Sequence, residues 1–149
     1  MKLLLIIQPL KQLFKHVCLF LVFGAIYFLI ECLWKGTITN YRMFLMAGCL
    51  GVLIGLINNL FSFDTSFILQ CFVGTLMATL GEAILGYQWN IIEGLKIWNY
   101  SSLPCSFVAN QINLFFSIAW MGLSGVCIVL DDYLRYWLFK EEKPHYKWF

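Results

Sequence analysis

The sequence predicts an all-α integral membrane protein: four transmembrane helices, an interfacial N-terminal segment and an amphipathic C-terminal extension. Three observations carry this. Of 149 residues, 61% are hydrophobic and 12% charged, and the mean hydropathy is +0.79. An ordinary soluble domain has about 45–50% apolar and about 25% charged residues, so the surplus apolar surface must face lipid or partners. The apolar residues fall into four runs, each near the roughly 20 residues that cross a bilayer as a helix. What lies between the runs is too short for a soluble domain, so residues 1–149 read as one transmembrane domain.

The opening MKLLLIIQPLKQ has an apolar core of only five residues before Gln8-Pro9, and no small-x-small cleavage site follows. It is therefore expected to be retained as an interfacial segment, with Lys11 and Lys15 one helical turn apart beside Leu10, Leu13 and Phe14. The first span covers about 17–34, between Lys15-His16 and Lys35, and its one charge is Glu31. Its eleven Val, Ile, Leu and Phe residues, at about −0.3 to −0.6 kcal/mol each, outweigh an acid that costs less than roughly 3 kcal/mol near a helix end.

The second span covers about 43–63, with Asn58-Asn59 near its end. The third, about 67–87, carries Gln70 and Glu82 among nine strongly apolar residues, so its insertion depends on neighbouring helices. The fourth, about 112–130, is closed by Asp131-Asp132. Two more helical turns follow it. Tyr133, Leu134, Trp137 and Leu138 share one face there, Asp131 and Arg135 are spaced to pair, and such aromatic and charged mixtures suit a membrane interface.

Basic residues orient the bundle. Lys2, Lys11, Lys15, Arg135, Lys140, Lys143 and Lys147 lie on the side of the termini, against Lys35, Arg42 and Lys96 opposite. The positive-inside rule then places both termini in the cytoplasm of a multi-pass cell-membrane protein. A net charge of +2 is too small and too scattered to argue for nucleic acid, and none is expected as a partner. Cys18, Cys32, Cys49, Cys71 and Cys127 fall in apolar runs, Cys105 in a loop, and no C-x-x-C pair occurs. They read as small apolar fillers, with neither a redox nor a metal motif.

Two spans carry small residues at four-residue spacing: Ala47, Gly51, Gly55 and Asn59, then Gln70, Gly74, Ala78 and Glu82. Such stripes let helix backbones approach closely in lipid. Gly51, Gly55, Gly74 and Ala78 are therefore expected at helix–helix contacts within the bundle, with a Gly51–Gly55 homo-oligomer as the alternative.

Ionisable groups inside spans are costly and mark a function or a partner. Glu31 lies about 5 Å below Trp34 at 1.5 Å per residue, near the outer end of the first helix. Glu82 reaches a similar depth in the third, and Asn110, Gln111 and Asn113 open the fourth at that level. These five converge on one layer, which reads either as a polar site for a cation, proton or polar solute or as a hydrogen-bonded structural knot. The connection at about 88–109 contains Trp89, Ile91, Ile92, Leu95, Ile97, Trp98, Tyr100, Leu103 and Pro104. So apolar a segment should dip into the interface, as a lid over the layer or as a passive interfacial element.

From Glu82 to Gly122 the chain shows an acid in one span, then Trp98-Asn99-Tyr100-Ser101, Pro104, and Asn110-Gln111-Ile112 opening a last span with Ser117 and Trp120. This stretch resembles the bacterial type IV ABC-transporter membrane proteins, the CmpB-like group. Glu31 beside Cys32-Leu33-Trp34 is similar to the family's aromatic-plus-acid pattern in an early span. The chain differs in its short length, in Asn99 where an acid is expected, and in its DDYLRYWLFKEEKPHY tail. The resemblance implies a transport-related membrane subunit. Since no G-x-x-x-x-G-K-[ST] motif occurs, an ATPase would be a separate subunit. A self-assembling pore or holin-like lysis protein, and a membrane scaffold without transport, are the alternatives. No enzyme, cofactor or metal is expected, since no nucleophile, metal cluster or cofactor loop accompanies the two carboxyls.

Overall fold

The computed structural model describes residues 2–149, with side chains from Gln8 onward. The side chain of Lys2, one of the seven basic residues counted above, lies outside the described residues. Helices α1 (Lys2–Lys35), α2 (Tyr41–Gly55), a short α3 (Ile57–Leu60), α4 (Phe67–Gly86) and α5 (Leu114–Phe139) make up the chain. A π-helical segment, Tyr87–Ile92, prolongs α4. A two-residue hairpin pairs β1 (Ser106–Phe107) with β2 (Ile112–Asn113), antiparallel, just before α5. Four stretches are long and apolar enough to cross a membrane: Gln8–Lys35, Tyr41–Leu60, Phe67–Ile92 and Leu114–Phe139. The expected architecture stands.

Local chemistry sets the helix starts. Asn40, Ser66 and Asn113 each accept a backbone N–H of the following first turn through their side-chain oxygens, which satisfies donors that a helix leaves free. The N-terminal segment is helical and continuous with the first span, with Pro9 inside α1. The apolar 28 residues of that helix would extend about 42 Å, beyond a hydrocarbon core of about 30 Å, so its first turns fall at headgroup level. Lys11 is exposed there, but Lys15 is 4% exposed. It does not share Lys11's wet face because its counter-charge, Glu141, waits in the C-terminal tail 2.6 Å away.

The second span breaks at Leu56 and ends at Leu60, short of the expected 63. α5 continues through Asp131-Asp132 to Phe139 without interruption. In space, α1 packs on α2 and α4 on α5, while α2 also lies against α4 and α5. Ile54, Ile57, Phe67, Cys71, Ala78 and Ile128 form the core between them.

The bundle is apolar outside and buries polar side chains beside its apolar core. Leu33, Ile84 and Val126 face outward at 83%, 66% and 64% exposure, while Gln70, Gln111 and Asn113 are fully buried. Lipid solvates the first group, whereas the second needs hydrogen-bond partners that only protein can supply at that depth.

Candidate functional site

The inward stripe of α4 brings Glu82 to the end of the bundle formed by the α1–α2 turn and the α4–α5 connection. Gln70, Gly74, Ala78, Glu82 and Gly86 are all buried, as their four-residue spacing requires. Glu82 is 4% exposed. Its Oε1 accepts from the Tyr100 hydroxyl at 3.0 Å and its Oε2 from Trp120 Nε1 at 3.0 Å. One donor stands on the connecting loop and the other on α5, and both are neutral. Among the described residues no Lys or Arg pairs with Glu82. The Tyr100 ring stacks on Phe116 at 4.9 Å. Burial, with Glu82 beside it, pushes the Tyr100 phenol above its usual range, so it remains a donor at neutral pH.

Glu31 is at the same end but differently held. Its Oε2 is 2.6 Å from Lys35 Nζ, one helical turn on, and Oε1 and Oε2 also accept from the Tyr27 and Thr39 hydroxyls at 3.5 and 3.4 Å. The two glutamates share no hydrogen bond. Between them, Tyr27 stacks on Trp120 with ring centroids 5.6 Å apart. Sequence reasoning placed both acids at this level without Lys35 as the partner of one. The i,i+4 spacing of Glu31 and Lys35 carried that signal.

The three amides separate into different tasks. Gln111 accepts from Asn90 Nδ2 at 2.7 Å and donates to the Ala109 carbonyl at 3.0 Å, while its own carbonyl takes Trp98 Nε1 at 3.0 Å. Asn113 caps α5 and ties Pro104 and Ser106 to it, at 2.7 and 3.0 Å. Asn110 is half-buried and contributes its backbone carbonyl, which accepts from the Tyr100 N–H at 2.9 Å. Val108, Ala109 and Asn110 all have positive φ, at 51°, 53° and 62°. A β-branched residue is disfavoured there, so the hairpin around it holds the turn that drives Gln111 inward.

Trp98 lies over Gly86, where a Cβ would sit 2.8 Å from the indole and 2.9 Å from Gln111. Only glycine admits that approach. Asn99 accepts from the Ser101 N–H at 2.7 Å, a local turn, and Lys35 donates to the Ile97 carbonyl at 3.4 Å. Arg42 pairs with Glu93 at 2.6 Å and sits 5.4 Å over the Trp89 ring. That guanidinium holds the Glu93 carboxyl below the usual range. The loop thus covers the glutamate end through Trp98 and Tyr100, while Asn99, Ser101 and Pro104 shape it.

The small-residue stripes are occupied within the chain. Gly51 faces Phe23 of α1, Gly55 faces Asp131 of α5, and Gly74 faces Ser124 of α5, where a Cβ would be 2.8 Å away. Ala78 is fully buried. Below the glutamates, a cavity of about 110 Å³ lies between α1, α2 and α5, lined by Tyr27, Trp120, Ser124, Cys127 and a majority of aliphatic side chains. A cavity so lined stays dry.

At the other end lies a second polar cluster, of which the sequence spacing indicates only the Asp131–Arg135 pair. Lys15 Nζ and Arg135 Nε grip the two oxygens of Glu141 at 2.6 and 2.8 Å, and Arg135 Nη1 also pairs with Asp131 at 3.3 Å. Arg135 Nη2 donates to Asn59 at 2.8 Å, and Asp132 accepts from Asn58 and from the Tyr146 hydroxyl at 2.5 and 2.9 Å. The depth argument that found the glutamate layer would have found this one, since Asn58-Asn59 end one span at the level where Asp131-Asp132 close another. Among the described residues no group of three or more His, Cys, Asp and Glu is arranged to hold a metal ion. No protein family, curated protein or solved structure matches the chain.

Proposed function

We propose that this small multi-pass membrane protein is a membrane subunit of a transport system, and that Glu82 is its site for a proton or a small cation. The observation that carries the reading is a buried carboxyl whose two oxygens are each held by a neutral donor, one on a spanning helix and one on the covering loop. An acid kept in a membrane without a counter-charge is expensive and signals a function. Here the missing positive charge is what a proton or cation would bring. The resemblance to type IV ABC-transporter membrane proteins points the same way, with ATP hydrolysis assigned to a separate subunit. The basic residues favour cytoplasmic termini, which sets Glu82 beneath the outer surface.

A pore made by this chain alone fits less well. The two polar ends are separated by Ile54, Ala78 and Ile128, and the glycine stripes that could join copies already meet α1 and α5. The test uses purified protein in lipid nanodiscs, with its thermal midpoint followed from acid to neutral pH and in sodium, potassium and calcium chlorides. A midpoint shift specific to one cation or to protonation, absent in Glu82→Gln, is the expected result. Identical responses from parent and variant would reduce the site to a structural knot.

A further inference from the structure

The C-terminal segment, residues 140–149, turns back under the bundle on the side of the termini. Lys140 ends α5 in the left-handed region, φ 57° and ψ 37°, and that single reversal brings the chain across three helices. Glu141 bridges Lys15 of α1 and Arg135 of α5. The Tyr146 hydroxyl donates to Asp132 of α5, and its ring lies 5.0 Å from Phe67 at the start of α4. The Lys147 carbonyl accepts the free first-turn N–H of Phe67 at 2.7 Å, and the Ser66 hydroxyl donates to the Trp148 carbonyl at 3.2 Å.

Under this strap is a cavity of about 150 Å³ lined by Asn58, Asn59, Phe63, Asp132, Arg135 and the strap's own glutamates. Unlike the mid-bundle cavity, it is polar and large enough for water. The Asn58 Oδ1 buried beside it has no hydrogen-bond partner, a group that a solvated cavity would satisfy. The strap carries no Leu, Ile, Val, Met or Ala, and Pro144 is its one aliphatic side chain. It is held by a few polar contacts, by the buried Pro144 and by the Tyr146 ring at the edge of the core. A segment attached in that way opens as a unit at far lower cost than the helices beneath it.

We propose that Glu141 is the latch of this strap, and that its release lifts residues 142–149 and opens the Asn58–Asp132 cavity to water on the side of the termini. The transport reading gives such a cover its purpose, but the test needs no transport assay, so the two stand or fall separately. Amide hydrogen exchange of the full-length protein in nanodiscs is compared for the parent and Glu141→Ala. In parallel, Asn58→Cys is introduced with the six native cysteines replaced, and its labelling by a membrane-impermeant maleimide is timed with and without Glu141→Ala. Loss of the latch should speed strap exchange and labelling about tenfold each, leaving exchange in α4 and α5 unchanged. Unchanged strap exchange, unchanged labelling, or a rise shared with α4 and α5 would each overturn the proposal. Tyr146→Phe, which removes one hydroxyl and keeps the ring, should give a smaller effect in the same direction, and an effect larger than that of Glu141→Ala would assign the latch to Asp132.

Discussion

Each end of the bundle buries one carboxyl on neutral donors alone, Asp132 at the end of the termini and Glu82 at the loop end, but only Asp132 stands beside a network of ion pairs. At the end of the termini, Asp131 and Glu141 are knitted to Lys15 and Arg135 in a chain of ion pairs, and Asp132 is closed off by Asn58 and Tyr146. At the loop end, Glu31 has its lysine, but Glu82 has only a phenol and an indole. Charge there is left open. A compensated cluster fixes the geometry of three helices and a strap. An uncompensated carboxyl of equal burial has room in its charge balance for something that comes and goes. On the proposed reading, that difference separates what holds this protein together from what it acts with.

The comparison breaks most easily at Arg135. Removing it strands the buried Asp131 carboxylate and leaves Glu141 with Lys15 alone; loss of one partner from a buried pair costs about 3–5 kcal/mol, so Arg135→Ala should sharply lower the thermal midpoint or abolish recovery of folded protein. Glu82→Gln, which keeps the shape and removes the acid, should leave the midpoint unchanged or raise it. Equal losses in the two variants, measured side by side, would mean that the ends are built alike.

A smaller effect is expected where α4 and α5 touch. Gly74→Leu forces a side chain against Ser124, and overfilled cores lose about 1–3 kcal/mol. Gly122→Leu on the outward face of α5 meets nothing within 4 Å and should be silent. If both variants unfold at the same temperature, the four-residue stripe does not seat α4 on the bundle.

Acid sharpens the contrast at the strap. Burial works against the charge of Glu141, but the hydrogen bond from Lys15 and the charge of Arg135 prevail and hold its carboxyl below the usual range. A depressed folded value means that the latch is complete at and above the ordinary glutamate value and is lost only as pH falls through the lower, folded one. The groups facing it are Lys15 and His16 on α1, Asp131, Asp132 and Arg135 on α5, and Tyr146, whose phenol burial and Asp132 push upward. The strap's protection, taken relative to the intrinsic exchange rate at each pH, should therefore hold from neutral pH down through the ordinary range and be lost below it. A loss of protection near neutrality would point to another group. The smallest effect belongs to Arg42→Ala at the rim of the loop. Exposed pairs contribute little, and the midpoint should not move measurably.

Much of this was legible from spacing alone. Four apolar runs gave the helices, and the Gln70–Gly74–Ala78–Glu82 rhythm put a polar residue at each end of one inward stripe. Counting depth along alternating helices put Glu31, Glu82 and the amides at one level. What stayed hidden depends on pairs far apart in the chain. Lys15 and Glu141 are 126 residues apart, and no periodicity links a lysine before the first span to a glutamate in the tail. Trp120 was read as a motif residue and Tyr100 as part of a lid, although together they hold Glu82. The direction of Trp120 follows from how α5 rotates against α4, where Gly74 meets Ser124, and that of Tyr100 from the fold of the loop, which no local spacing encodes. Val108 at positive φ, and the turn it forms, contradict local preference and could not be anticipated from it.

The measurement closest to the central claim is infrared difference spectroscopy of the reconstituted protein, recorded as pH or cation is switched and compared with Glu82→Gln. A carboxyl band that appears or shifts with the switch, and is missing from the variant, is the predicted result. The same carboxyl signal in parent and variant, indifferent to proton and cation alike, would contradict it.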